Sequence, residues 1–160
     1  MHVATVERKN SPLTGGILQH NQNQNKILHL GFTVERFSSV SFKLLFAFCD
    51  FFYLQRICTA LGANLASFHS HSEYMFLKNL VKTVRRSWDR TWVGGYDAVK
   101  EGLWLWSDGS NFDYIQWGRG EPNNQGGREN CMEINLKGAT QYVNDEGCSR
   151  RNFFICAKNR

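Results

Sequence analysis

Apolar positions keep a helical period over one clear stretch. Tyr74, Leu77, Val81 and Val84 recur at three- and four-residue spacing, which predicts an amphipathic helix of about three turns. Ser70-His71-Ser72-Glu73 precedes it as a capping box: Ser70 accepts a backbone N–H while Glu73 reaches back. Gln55 to Leu61 predicts an earlier helix, with Gly62 as its C′ stop. Beyond the second helix the runs shorten. Thr91-Trp92-Val93 reads as a strand that stops at Gly94-Gly95. Leu103 to Trp106 is another short run, closed by the turn signal Asp108-Gly109. Cys131 to Leu136 alternates, and Thr140 to Val143 and Phe153 to Ala157 complete the strands. Between them Gly118 to Arg128 is a long polar loop with four glycines. Two helices followed by short strands and a long loop predict an α+β domain.

The chain before residue 56 has a different character. Met1 to Leu30 is polar and includes the run Gln19 to Asn25. Such a segment buries too little apolar surface to offset its ordering entropy, so residues 1–36 are expected to form a disordered tail. No apolar core of a signal peptide is read near Met1. Residues 37–55 are rich in phenylalanine (Phe37, Phe42, Phe46, Phe48, Phe51, Phe52) and are interrupted by Lys43 and Asp50. The apolar runs are too short to span a bilayer. Two readings of this segment stand. It is a buried strand leading into a helix, or it is a translated intron tail, since phenylalanine codons are pyrimidine-rich and CTGCAG encodes Leu54-Gln55.

Composition narrows the class. At 160 residues and 42% hydrophobic, the chain suits one domain with its own core. The formal net charge is +5. Its basic residues fall in small groups, Arg85, Arg86 and Arg90, then Arg150 and Arg151. A nucleic-acid module needs a basic face with interleaved aromatics, so a solvated surface is the expectation. Five cysteines leave one over in a disulfide-bonded protein, and sequence alone permits many pairings.

The long loop and the strands after it carry the chemistry. Glu121, Asn123, Glu129, Asn144 and Asp145 supply only hard oxygens, three carboxylates and two amides. That set suits Ca²⁺. It suits zinc or copper badly, because His2, His20, His29, His69 and His71 all lie in the first half of the chain. Three gathered carboxylates repel and raise one another's pKa. A cation removes that cost and orders the loop. The plainer alternative is a glycine-rich loop whose charges face water. Read as an acid/base pair, Glu121 and Glu129 would make a glycosidase. No catalytic partner set accompanies them, so no enzyme is expected. Trp92, Trp104, Trp106 and Trp117 fall on or beside strand signals and are expected in the core rather than as a sugar-stacking platform. Gly94 and Gly95 predict close backbone approach.

From Arg56 to Arg160 the chain resembles the C-type lectin domain family, and within it the small soluble lectins of fish. The matching residues are Cys58 to Ser67, Trp92-Val93-Gly94-Gly95, Trp104 to Gly109, Glu121-Pro122-Asn123-Asn124, Glu129-Asn130-Cys131, Asn144-Asp145 and Phe154-Ile155-Cys156. The resemblance implies an α+β fold of two helices, short antiparallel strands and a long calcium-binding loop. It implies that Glu121, Asn123, Glu129, Asn144 and Asp145 hold one Ca²⁺ and also hydrogen-bond a sugar whose vicinal hydroxyls meet that ion. Glu-Pro-Asn order goes with mannose, N-acetylglucosamine and fucose, and Gln-Pro-Asp order with galactose. Pro122 is implied to be cis. Cys58 is implied to pair with Cys156 and Cys131 with Cys148, which leaves Cys49 over and indicates the secretory route.

Three departures stand out. Val143 replaces the usual tryptophan before Asn144-Asp145, which implies a packing change. A second calcium site in some members matches Asp97, Glu101, Asn124 and Glu129, with Asn124 in place of a common aspartate. No good match to the family's first strand precedes Cys58; the Phe-rich stretch lies there. The implied function is non-enzymatic, calcium-dependent recognition of glycans on microbial or cell surfaces, in innate immunity, by a secreted protein for which a homo-oligomer is an open option. No nucleic-acid partner and no membrane anchor are expected. The alternative is ice binding of the type II antifreeze kind, or protein-ligand binding, by the same domain.

Overall fold

The computed structural model describes residues 33–37, 39–45, 49–135 and 143–158. Its strands are β1 Thr33–Phe37, β2 Val40–Leu45, β3 Asn64–Leu65, β4 Thr91–Tyr96, β5 Leu105–Trp106, β6 Cys131–Ile134, β7 Val143–Glu146 and β8 Phe153–Lys158. Helix α1 spans Phe51–Ala60 and helix α2 His71–Arg85, and a 3₁₀ turn lies at Gln125–Gly127. The fold is α+β, as the order of elements implied.

The strands form one sheet in the order β1-β2-β8-β4-β6-β7, with β3 on β8 and β5 on β4. The sheet is mixed rather than wholly antiparallel. β4 and β8 run parallel, with Thr91 opposite Phe153 and Trp92 opposite Phe154. Parallel neighbours need a long connection, and the whole of β5 to β7 lies between these two strands in sequence.

The strands Thr33–Phe37 and Val40–Leu45, before Cys58, are built into this sheet. Thr33–Phe37 pairs with β2, Phe37 opposite Val40. The tail expected to reach residue 36 therefore gives way to a strand at Thr33. β2 pairs in turn with β8, Leu44 opposite Ile155, and buries Phe42, Leu44 and Leu45. A strand leading into a helix is thus what the Phe-rich segment forms. Residues 1–32, with the run Gln19 to Asn25, lie outside the described residues, as do Phe46 and Phe48.

α1 starts at Phe51, four residues before the start that apolar spacing indicated. Asp50 is the reason: its Oδ1 accepts the Tyr53 N–H at 2.8 Å and caps the helix. Phe51, Leu54 and Cys58 face inward. Gly62, at φ 67°, ends the element where a left-handed residue is needed. Ser70 caps α2 by accepting the Glu73 N–H at 3.2 Å. Glu73 reaches one residue further back than a capping box requires, accepting from the His69 N–H at 2.7 Å.

The core has two clusters. In one, Leu77 and Val81 of α2 pack with Val93, Trp106, Met132 and Ile155 of the sheet. In the other, Phe51 and Leu54 meet Trp92, Phe154 and the Cys58–Cys156 disulfide. Trp92, Trp104 and Trp106 are buried and Trp117 is partly so, which places them in packing. Gly94 and Gly95 are required by close approach. A Cβ on Gly94 would lie 2.7 Å from the Leu65 carbonyl oxygen, and one on Gly95 2.4 Å from Met132 Cε. Val143 is fully buried in the first cluster. β7 begins there and runs to Glu146; the rest of the expected Thr140–Val143 strand lies outside the described residues.

The disulfides join Cys58 to Cys156 and Cys131 to Cys148, 98 and 17 residues apart. On the chain-entropy model they contribute about 4–5 and about 3 kcal/mol. The first ties α1 to β8. The second ties the start of β6 to the turn after β7 and so fixes the base of the long loop.

Candidate functional site

The loop from Gly118 to Asn130 folds over the ends of β6 and β7. Gly118 donates its N–H to the Val143 carbonyl at 2.9 Å, which anchors the loop's first residue beside β7. The Glu121–Pro122 peptide bond is cis. Asp145, 1% exposed, is the internal anchor. Its Oδ1 accepts the Asn123 N–H at 3.0 Å and its Oδ2 accepts the Asn124 N–H at 2.7 Å. Glu129 does similar work at the other end, accepting the Gln125 N–H at 2.8 Å. The loop is therefore held by carboxylates bonded to its own backbone.

These carboxylates are close enough to perturb one another. Burial, then the Asp145 charge, pushes the Glu121 carboxyl above the usual glutamate range, and the Glu129 charge adds to it. Glu129 is pushed up by burial first, against the bond from Gln125, and then by Glu146 and Asp145. Glu121 Oε2 is buried with no hydrogen-bond partner. An acceptor-only oxygen in that position invites a proton or a cation.

The predicted residues are not all gathered in the same way. Glu121, Glu129 and Asp145 interact, and Asn123 joins them through its backbone. Asn144 is bonded elsewhere: it is buried, and its Nδ2 donates to Glu133 Oε1 at 3.0 Å. Among the described residues, no three His, Cys, Asp or Glu side chains already form a ligating cluster. Asp145 and Glu129 are turned instead to backbone N–H groups. Together with Glu121, their chemistry still fits a hard cation, being all oxygen, crowded, partly desolvated and short of a donor at Glu121.

The residues matching a second cation site are bridged by an amide. Asn124 Nδ2 donates to Glu101 Oε2 at 2.5 Å, and Asn124 Oδ1 accepts the Glu129 N–H at 3.1 Å. Asp97 is buried; its Oδ2 accepts the Gly102 N–H at 2.8 Å, and its Oδ1 has no partner.

Beneath the loop lies a charged network that sequence reasoning missed. Glu133, with a fully buried side chain, accepts from Arg90 Nε at 2.7 Å and also from Arg90 Nη2. Asn152 Nδ2 donates to its other oxygen at 2.7 Å. Arg90 Nη2 also bonds Glu146 Oε2 at 2.7 Å, and Arg150 Nη1 reaches the same oxygen at 2.5 Å. Glu133 gave one signal in the sequence, an acid inside an otherwise apolar strand, Cys131-Met132-Glu133-Ile134. A cavity of about 470 Å³ lies among Asn64, Ser67, His69, Asp108 and Lys158. None of the five loop candidates lines it.

An α+β domain whose disulfides clamp a long, carboxylate-bearing loop has the architecture of a binding module. The family model for the C-type lectin domain matches residues 51–158. The chain belongs to the C-type lectin domain family. Ladderlectin of Oncorhynchus mykiss is 51% identical over 94 residues, 59% of this chain and 49% of ladderlectin. The galactose-specific lectin nattectin of Thalassophryne nattereri is 43% identical over 110 residues, 69% of this chain and 68% of nattectin. The match thus spans about half the length of the first relative and about two thirds of the second. Herring type II antifreeze protein superposes with a TM-score of 0.71 at 30% identity, covering 79% of this chain and 96% of that one. Human lithostathine, with a TM-score of 0.73 at 23% identity over 79% of this chain and 97% of its own, shares the fold. The matched curated relatives are lectins by name, which supports carbohydrate binding rather than catalysis.

Proposed function

We propose that this chain binds sugars through one Ca²⁺ held by Glu121, Asn123, Glu129, Asn144 and Asp145. The observation that carries the reading is Glu121 Oε2, buried with no hydrogen-bond partner in a loop that Asp145 and Glu129 hold by its backbone. Calcium supplies positive charge there and open positions for two sugar hydroxyls. The carboxylates accept from those hydroxyls and the amides donate to them. Glu121-Pro122-Asn123 order favours mannose, N-acetylglucosamine and fucose. Nattectin bears galactose in its name; the preference of this chain is argued from its own loop, not from that relative.

The two disulfides support a secreted protein. Glycans on microbial or cell surfaces are the partners, in innate recognition. A shallow site of this kind gains strength by clustering, so a homo-oligomer fits the role. The test is retention on a mannose resin in calcium and elution with a chelator. Retention that survives chelation overturns the reading. Similarity to herring antifreeze protein supports a second reading, ice binding by the same loop. Thermal hysteresis that mannose leaves untouched would favour that second reading.

A further inference from the structure

We infer that Arg90 and Glu133 are positioning residues that fix the Asn144 amide with its carbonyl oxygen free to meet the cation. This inference rests on the calcium reading above. Glu133 and Asn144 stand directly opposite each other across β6 and β7, so their side chains share one face of the sheet. They are joined at 3.0 Å. A carboxylate can only accept, so the amide nitrogen of Asn144 has to face Glu133. Its carbonyl oxygen then has to point the other way. Nδ2 carries two hydrogens. Glu133 takes one and leaves the second for a sugar hydroxyl.

Arg90 fixes the place of the Glu133 carboxyl group, bonding it through Nε and Nη2. The same guanidinium bonds Glu146 at 2.7 Å, so one arginine ties β6 to the end of β7. A buried ion pair is weak support for stability, because desolvation offsets its attraction. Its place opposite Asn144 accounts for it better.

The test separates orientation from stability. In the full chain, Arg90→Met with Glu133→Leu replaces the pair by apolar side chains, which avoids an unpaired buried charge but leaves the Asn144 and Asn152 amides without this acceptor. A cooperative melting transition in chelator is expected and shows that the variant folds. Its Ca²⁺ affinity by calorimetry is expected to fall about 10- to 100-fold, the usual effect of losing an outer partner of a metal ligand. Glu133→Gln serves as the second variant, since it keeps volume but lets the amide of Asn144 reverse; a loss of at least about tenfold is expected. Unchanged Ca²⁺ affinity in either folded variant overturns the inference. Asn144→Ala guards the premise. If the parent takes up no Ca²⁺, or Asn144→Ala binds it normally, the calcium reading itself falls. If Asn144→Ala loses Ca²⁺ while both pair variants keep it, only the positioning role falls.

Discussion

Asn144 and Asp145 are consecutive in β7, yet their side chains serve different partners: Asn144 bonds Glu133 of β6, and Asp145 bonds the backbone of Asn123 and Asn124. One dipeptide therefore joins the charged network around Glu133 to the loop.

Asp145 makes two charge-assisted bonds to loop N–H groups from a buried position. Asp145→Ala removes both and leaves two amides without acceptors. Such bonds contribute about 1.5–3 kcal/mol each. The expected result is faster hydrogen exchange at Asn123 and Asn124 and loss of Ca²⁺ and mannose binding, with the rest of the domain still folded. Unchanged exchange at those two amides would show that Asp145 does not hold the loop.

Glu121 and Glu129 titrate above the usual glutamate range, chiefly from burial, then from Asp145 at Glu121 and from Glu146 and Asp145 at Glu129. Between that range and the raised values the folded chain binds more protons than the unfolded one. Stability from these two groups therefore falls as pH rises through the window. A cation competes with the protons, so its uptake expels them. In chelator, this contribution to the melting temperature should decline from mildly acid pH toward neutral. In excess Ca²⁺ the slope should reverse. Calorimetry in buffers of different ionisation heat should detect proton release at mildly acid pH.

Sugar preference is tested at the loop itself. Glu121→Gln with Asn123→Asp converts Glu-Pro-Asn to Gln-Pro-Asp and exchanges which side chain donates and which only accepts. One reversed hydrogen bond to a charged group is worth about 1.5–3 kcal/mol, roughly a ten- to hundredfold shift in relative affinity. The parent is expected to be eluted from a mannose resin by mannose, and the double variant from a galactose resin by galactose. A variant that still prefers mannose would remove the loop from the specificity argument.

Some of this molecule was legible in the chain. Ser70 and the spacing of Tyr74, Leu77, Val81 and Val84 predicted α2 because cap and apolar stripe are local signals. Close backbone approach at Gly94 and Gly95 is as expected, but the strand expected to stop there runs on to Tyr96, because both glycines pack inside β4. α1 was read four residues short. Asp50 as a cap, with Phe51 and Leu54 buried and Phe52 and Tyr53 exposed, was hidden in a segment where every phenylalanine looked alike. The Arg90–Glu133 pair was not legible. It spans 43 residues, and only the registers of β4, β6 and β7 bring the two together. Glu133 on an alternating strand reads as a solvent-facing acid; here both faces of β6 are covered.

The Arg90–Glu133 pair also makes a stability prediction of its own. Arg90→Met alone leaves Glu133 buried without a cation. Breaking a buried pair in this way costs about 3–5 kcal/mol, and the remaining Asn144 and Asn152 donors offset part of that. Chemical denaturation is expected to show a loss of at least about 2 kcal/mol for Arg90→Met. The double Arg90→Met, Glu133→Leu variant should recover part of it, since the buried charge is gone while the Asn144 and Asn152 amides still lack their acceptor. A single variant as stable as the parent would mean that Glu133 is neutralised by other means.

Cys49 is the one free thiol among the described residues, half-buried against the second core cluster beside α1. Burial raises its pKa, the Asp50 charge raises it further, and Arg151 opposes both. A thiol so shifted has less thiolate at neutral pH, and thiolate is the reactive form. Cys49 is therefore expected to alkylate more slowly than a free cysteine at neutral pH and to catch up as pH rises. Mass spectrometry of iodoacetamide-treated protein gives the rate directly. If the thiol instead joins two chains, non-reducing electrophoresis will show a dimer that Cys49→Ser abolishes. In that case the half-buried, weakly ionised thiol described here is not its resting state.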